Sequence, residues 1–213
     1  MRLAELSERS GVPVGTIKYY LREGLLPQGE RISATQAAYS EAHLRRLGLI
    51  RAMIQIGRIP VATVREVLGH VDDESLGTTF RLGAALWAMP QPPEAPADDP
   101  LTVQVTEAVD RFLGDMGWHN AREIGALSPT YRTLVTTIVT LTRLGFSRGA
   151  ETLAQYAHLM EEVAQLDLDQ LDTYEDDSEK VELAVASAVL YEPLLLALRR
   201  LAQEEHSTRR YGL

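Results

Sequence analysis

Residues 3–27 read LAELSERSGVPVGTIKYYLREGLLP, and the punctuation inside this run decides the fold. Leu3, Leu6 and Val12 fall where a short first helix would bury them. Gly11 supplies a turn, because it tolerates a positive φ without a side-chain clash. Pro13 suits the first turn of a second helix, where its missing N–H would have no partner anyway. Ile17, Tyr20 and Leu21 recur at helical spacing and face the core, which leaves Lys18, Tyr19 and Arg22 facing out. Gly24 stops the helix as a left-handed cap. The second helix is therefore short, exposed on one face, and begins with Val14, Gly15 and Thr16. A helix of that shape suits insertion of its N-terminal end into a DNA major groove.

Downstream, residues 25–39 (LLPQGERISATQAAY) read as a two-stranded wing, with its turn at 28–30 or at 33–36. Residues 41–54 place Leu44, Leu47, Ile50 and Ile54 on one helical face, a break falls at 57–60, and a short helix runs over 61–68. Residues 16–27 (TIKYYLREGLLP) resemble the signature of the MerR family, in which a recognition helix leads straight into a Gly-Leu-Leu-Pro turn before the wing. Residues 39–57 followed by 61–68 resemble that family's next two helices, so the likeness covers about 70 residues in order. It implies a DNA-binding head in a dimeric transcriptional regulator. Carried over by position, Val14, Gly15 and Thr16 are the base-reading candidates, Lys18 faces bases or phosphates, and Tyr19 and Arg22 are phosphate contacts. Arg31 and Tyr39 match wing positions that grip phosphate, and Arg58 lies where a second wing touches the backbone. Contacts of the latter kind fix register without reading sequence. The residues alone leave Tyr39 open between phosphate contact and strand-end packing, and they read Arg45 and Arg46 as a solvated face. One departure is that Ala37-Ala38-Tyr39 lacks the family's arginine ahead of the wing tyrosine, a place Arg31 is expected to fill.

The rest of the chain has a different character. Residues 89–100 (MPQPPEAPADDP) hold five prolines in twelve residues and read as a semi-rigid linker. Before them, 75–88 is a short amphipathic stretch, too short to be the long coiled coil through which MerR-like proteins dimerise. After them, Val105, Val109, Phe112, Leu113 and Met116 mark one helix, and residues 131–142 another behind a Ser128-Pro129 cap. A third helix spans about 148–166, an acidic connector 171–177, and a long last helix 178–205 that is apolar around much of its circumference. That last helix is the expected dimer contact, and the block as a whole is loosely similar to the helical ligand-binding and dimerisation domain of TetR-like regulators. The expected fold is mostly α: a winged helix-turn-helix with a small β-wing over 1–72, a connecting helix and linker over 73–100, and an all-α helical bundle over 101–213.

Charge follows the same division. The chain carries −9 overall, yet residues 1–70 hold ten Lys or Arg against six acids. A basic head and an acidic body suit a polyanion at one end only. No cysteine is present, which excludes disulfides, thiolate metal sites and cysteine nucleophiles and fits a cytoplasmic protein. The N-terminus lacks a signal-peptide core, and 181–198, the most apolar run, is interrupted by Glu182, Glu192 and Pro193, so no membrane span is expected. No phosphate loop, Ser/His/Asp set or HExxH supports an enzyme, and His119, His158 and His206 are isolated, so neither metal nor cofactor is expected. Trp118, Tyr131, Phe146, Tyr156 and Tyr191, interleaved with Thr136, Thr137, Thr140 and Thr142, are candidates to line an apolar effector pocket. The expected partners are double-stranded DNA carrying a pseudo-palindromic operator, a second copy of the chain, and a small-molecule effector. The competing reading is an architectural or recombination-associated DNA-binding protein without an effector.

Overall fold

A computed structural model describes residues 1–33, 36–146 and 149–212. Among them are ten α-helices and a two-stranded antiparallel sheet. The chain divides into two compact units, Met1–Met89 with Leu171–Leu213, and Pro90–Gln170.

The first unit opens with α1 (Leu3–Ser10) and α2 (Val14–Arg22), joined through Gly11 at φ 65°. Pro13 stands just before α2 rather than within it. The wing pairs β1 (Glu30–Arg31) with β2 (Ala37–Ala38), Arg31 opposite Ala37. Its turn is therefore the later of the two alternatives, and two of that turn's residues, 34 and 35, lie outside the described residues. Just past β2, the Met1 ammonium donates to the Tyr39 carbonyl at 2.7 Å, and Tyr39 N–H donates to the Met1 carbonyl at 2.9 Å. Helix α3 (Glu41–Arg51) ends in a π-helical turn at Ala52–Ile56, where the periodicity predicted unbroken helix to 54. Helices α4 (Val61–Val71) and α5 (Thr78–Trp87) follow.

The last helix, α10 (Asp177–Tyr211), corrects the expected division of the chain. Residues 101–213 do not form one body. Val181, Val185 and Val189 belong to the same core as Leu6, Ile17, Leu47, Met53 and Val64. Their i, i+4, i+8 spacing makes one stripe, and burying each removes about 1.5–3 kcal/mol of apolar exposure. The seat is close: a Cβ on Gly57 would lie 2.7 Å from Cγ1 of Val189 and 3.0 Å from the Met53 carbonyl. Two buried arginines hold the same helix. Arg46, on α3 and 5% exposed, pairs with Asp72 at the end of α4 and reaches Glu182 at 3.1 Å. Burial pushes the Glu182 carboxyl above the usual carboxylate range, against the pull of Arg46 and Arg45. Arg81, on α5 and 4% exposed, donates to the Val71 carbonyl at 3.0 Å and to Ser178 Oγ at 3.3 Å. It thereby caps α4 through a side chain. Arg45 pairs with Glu179 at 2.6 Å. The expected solvated face at Arg45 and Arg46 is thus an ion-pair seam to α10.

Beyond Pro193, α10 changes character. Leu194, Leu198 and Leu201 are exposed, following Leu190 at the same spacing. By length and composition alone α10 is long and apolar enough to cross a membrane, a test that a core helix also passes, and its Val181, Val185 and Val189 lie in the head's core.

The second unit contains α6 (Pro100–Asp115), α7 (His119–Ile124), α8 (Pro129–Arg143) and α9 (Ala150–Leu171, whose last residue falls across the boundary). Asp99 and Ser128 cap α6 and α8, each followed by proline at the first helical position. Val105, Val109, Phe112, Tyr131, Val135 and Val139 form the core between α6 and α8. The short α7 carries no clear apolar period and was not anticipated. The expected start of the third helix, near 148, lies outside the described residues.

The Gly57 contact gives a direct test of the α10 seat. Gly57→Ala lowers stability by about 1–3 kcal/mol, as overpacking does. Val189→Ala in the same chain recovers part of that loss, giving a coupling energy of at least about 0.5 kcal/mol in a thermal or denaturant double-mutant cycle. Additive losses at the two positions would mean that Gly57 and Val189 do not touch.

Candidate nucleic-acid interface

Helix α2 buries Ile17 and Tyr20 and leaves Gly15, Lys18 and Arg22 exposed. Those three stand at i, i+3 and i+7, so they share one outward stripe. Val14 and Thr16 flank its start, half-buried. Tyr19 packs partly on the core and presents its ring to the Arg22 guanidinium, 5.6 Å from the ring centroid. That contact holds the Arg22 side chain beside the stripe while leaving it 72% exposed. The C-terminal end of α2 is pinned from α4: Arg65 donates to the Glu23 carbonyl at 2.9 Å and pairs with its carboxylate at 2.6 Å. At the other end of the motif, Arg51 donates to the Ser10 carbonyl at 2.8 Å, and Arg9 makes a two-pronged pair with Glu41. The helix that presents the stripe is thus pinned at its C-terminal end from α4, and α1 ahead of it is held to α3.

The wing residues divide. Arg31 is exposed on β1 and donates to the Ser33 carbonyl at 3.2 Å. Tyr39 is 8% exposed, its ring edge-on to His43 at 5.2 Å, which is the strand-end packing alternative. It also forms one wall of a surface hollow of about 600 Å³ with Arg2, Arg31 and Gln36. Arg2, which donates to Gln36 across that hollow, is a basic residue that the sequence reading passed over. Its position at the very start of the chain carried no periodic signal. Arg58 is exposed, and at φ 55° it is the one non-glycine among the described residues with positive φ. A left-handed backbone costs a residue with a Cβ about 1 kcal/mol, and glycine would avoid that cost. Arginine at such a place fits a site that needs the cation.

The effector candidates do not converge. Tyr131 is buried and donates to Asp110 at 2.6 Å, and burial together with that carboxylate holds its hydroxyl well above the usual phenol range. Trp118 instead donates to Glu161 at 2.6 Å beside a different hollow. Phe146 and Tyr156 are largely exposed, and Tyr191 lies on α10 in the first unit. The threonine hydroxyls expected for a ligand are mostly spent: Thr137, Thr140 and Thr142 donate to carbonyls four residues back on α8.

A short helix seated across another, followed by a two-stranded wing and a second basic loop, defines a winged helix-turn-helix head. Residues 1–70 match the MerR HTH family regulatory protein family. Two curated relatives match part of the chain: the mercuric resistance operon regulatory protein of Bacillus cereus is 37% identical over 71 residues, and the HTH-type transcriptional regulator ZntR homolog of Haemophilus influenzae is 40% identical over 50. These cover 33% and 24% of this chain and 53% and 37% of the relatives, so the chain spans about half or less of the length of the curated relatives it matches. Along its whole length it is similar to the crystal structure of the candidate transcriptional regulator SCO5550 from Streptomyces coelicolor A3(2). That match has 56% identity, a TM-score of 0.87, and coverage of 100% of this chain and 99% of the other. Residues 1–70 are thus a MerR-family HTH domain, and members of that family are DNA-binding transcriptional regulators.

Arg58 separates binding from folding. Arg58→Gly raises the unfolding free energy by about 1 kcal/mol, by relieving the left-handed backbone, while weakening DNA binding. Thermal melts and DNA titrations on the same preparation should move in opposite directions. Lowered stability, or unchanged DNA affinity, would remove Arg58 from the interface.

Proposed function

We propose that this protein is a sequence-specific DNA-binding transcriptional regulator that acts as a homodimer on a pseudo-palindromic operator, under the control of a small apolar ligand held in the Pro90–Gln170 unit. The observation that carries the first part is the exposed Gly15, Lys18 and Arg22 stripe on α2 of a MerR-family head. Glycine at the start of the stripe lets the backbone approach base edges, and the two cations after it supply the phosphate contacts from which most affinity comes. Tyr19, Arg31 and Arg58 add backbone contacts from the helix edge and the two wings, and Val14 and Thr16 read bases beside Lys18.

The dimer reading is supported by the exposed Leu190, Leu194, Leu198 and Leu201 on one stripe of α10. Helix-turn-helix proteins gain useful affinity when two heads occupy two half-sites. The ligand reading is supported by a cavity within the Pro90–Gln170 unit, whose wall includes Tyr131.

Fluorescence anisotropy with DNA recovered from bound chromatin tests the first part. Each of Lys18→Ala and Arg22→Ala should weaken binding and lower the slope of log K against log salt by about 1. Unchanged affinity and slope in both variants would place the interface elsewhere.

A further inference from the structure

The cavity between α6 and α8 has a volume of about 310 Å³, near the lower end of the roughly 300–1,000 Å³ typical of small-molecule sites. Ala95, Val103, Thr106, Tyr131, Val135 and Thr136 are among its walls. Their polar groups are already engaged. Thr102 donates to Asp99 at 3.1 Å, Thr106 to the Thr102 carbonyl at 2.8 Å, and Tyr131 to Asp110 at 2.6 Å. The Thr136 hydroxyl oxygen accepts from Ala95 N–H at 3.0 Å. Facing the cavity, these side chains offer methyl groups and ring carbon. Among the described residues the hydroxyl hydrogen of Thr136 has no acceptor assigned, which leaves one donor for an incoming molecule.

One wall is the proline-rich run that the sequence reads as a linker. Residues 90–97 do not hang free of the unit. Ala95 is packed against the unit's core and bonded to Thr136, and Glu94 pairs with Arg132 at 2.6 Å. Arg132 also donates to the Ala126 and Leu127 carbonyls at 2.7 and 3.0 Å, so one guanidinium clamps the strap and the turn before α8 together. Prolines at 90, 92, 93 and 96 keep this segment extended and stiff. The Glu94–Arg132 pair is near the surface, where an ion pair is worth at most about 1 kcal/mol. That fastening is weak enough to open.

We propose that this cavity is a binding site for a neutral, mostly hydrocarbon or aromatic molecule with a single hydrogen-bond acceptor for Thr136, and that the 90–97 strap is its closure. The proposal rests on the reading of the chain as a ligand-controlled regulator and assigns that control a place. An anion does not suit the cavity, because the one nearby cation, Arg132, is committed to Glu94 and two carbonyls and Glu107 adds a carboxylate to the wall. Of the five aromatic candidates in the sequence, Tyr131 alone belongs to this cavity.

N-phenyl-1-naphthylamine, a neutral probe that fluoresces in apolar surroundings, tests this in the full-length protein. It should bind saturably at one per chain. Val103→Trp fills the cavity from a position that is 48% exposed, so the fold, checked by its melt, is kept while probe affinity falls at least tenfold. Glu94→Ala, which leaves the Thr136 donor in place, unfastens the strap from Arg132 and should speed probe release up to about fivefold in stopped flow. Absence of saturable binding, or Val103→Trp binding like wild type, overturns the site; unchanged release in the strap variant overturns the closure. DNA titration of the same wild-type preparation separates the two readings. Retained, Lys18-dependent DNA binding with a failed probe result sinks this inference alone, whereas lost DNA binding sinks the regulator reading.

Discussion

The Arg46 ion network is the constraint on which the head's architecture turns. One buried guanidinium on α3 is shared by Asp72, at the end of α4, and Glu182, on α10. A charge that deep is tolerated only when it is paired, and removing one partner costs about 3–5 kcal/mol. Replacing a whole buried network by apolar groups is often neutral, so its main effect is to fix where the elements meet. Here it admits one axial position of α10, the one that also seats Val189 against Gly57 and brings Ser178 to Arg81. One of the Arg46 nitrogens, Nη1, has no partner among the described residues, so the pairing is strict without being complete.

This return of α10 makes Pro90–Gln170 an insertion within the head's own fold. The chain leaves the first unit after Met89 and re-enters it at Leu171. The inserted unit thus has two covalent connections to the unit that carries α2. One of them begins with the proline-rich strap, and the other runs into the helix whose apolar stripe is proposed to bring two copies together. A ligand that reorders the strap would act on the segment that joins its own unit to α5.

The head was legible in the sequence because its signals are local. Gly11 and Gly24 adopt the positive φ read from their places, and α1, α2 and α4 begin where apolar spacing and proline put them. The stripe of Lys18 and Arg22 followed from the same period. The return of α10 was not legible, because helical period says that a face is buried and not what buries it. The clues were charges within apolar helices, Arg81 on α5 and Glu182 on α10, of which Glu182 could have been matched with Arg46. The effector candidates do not converge for a related reason: aromatic type marks apolarity, but Phe146 and Tyr156 are exposed, while the cavity between α6 and α8 is walled mostly by alanine, valine and threonine. The strap was read as a semi-rigid linker because proline content reports stiffness and says nothing about the side chains that fasten it.

Amide hydrogen exchange on the intact protein tests most directly whether α10 is part of the head. If residues 181–189 share the core of α3 and α4, their amides should open with the same free energy as those two helices, since elements of one cooperative core exchange together. Exchange of 181–189 at the rate of an exposed helix, with α3 and α4 still protected, would contradict the account.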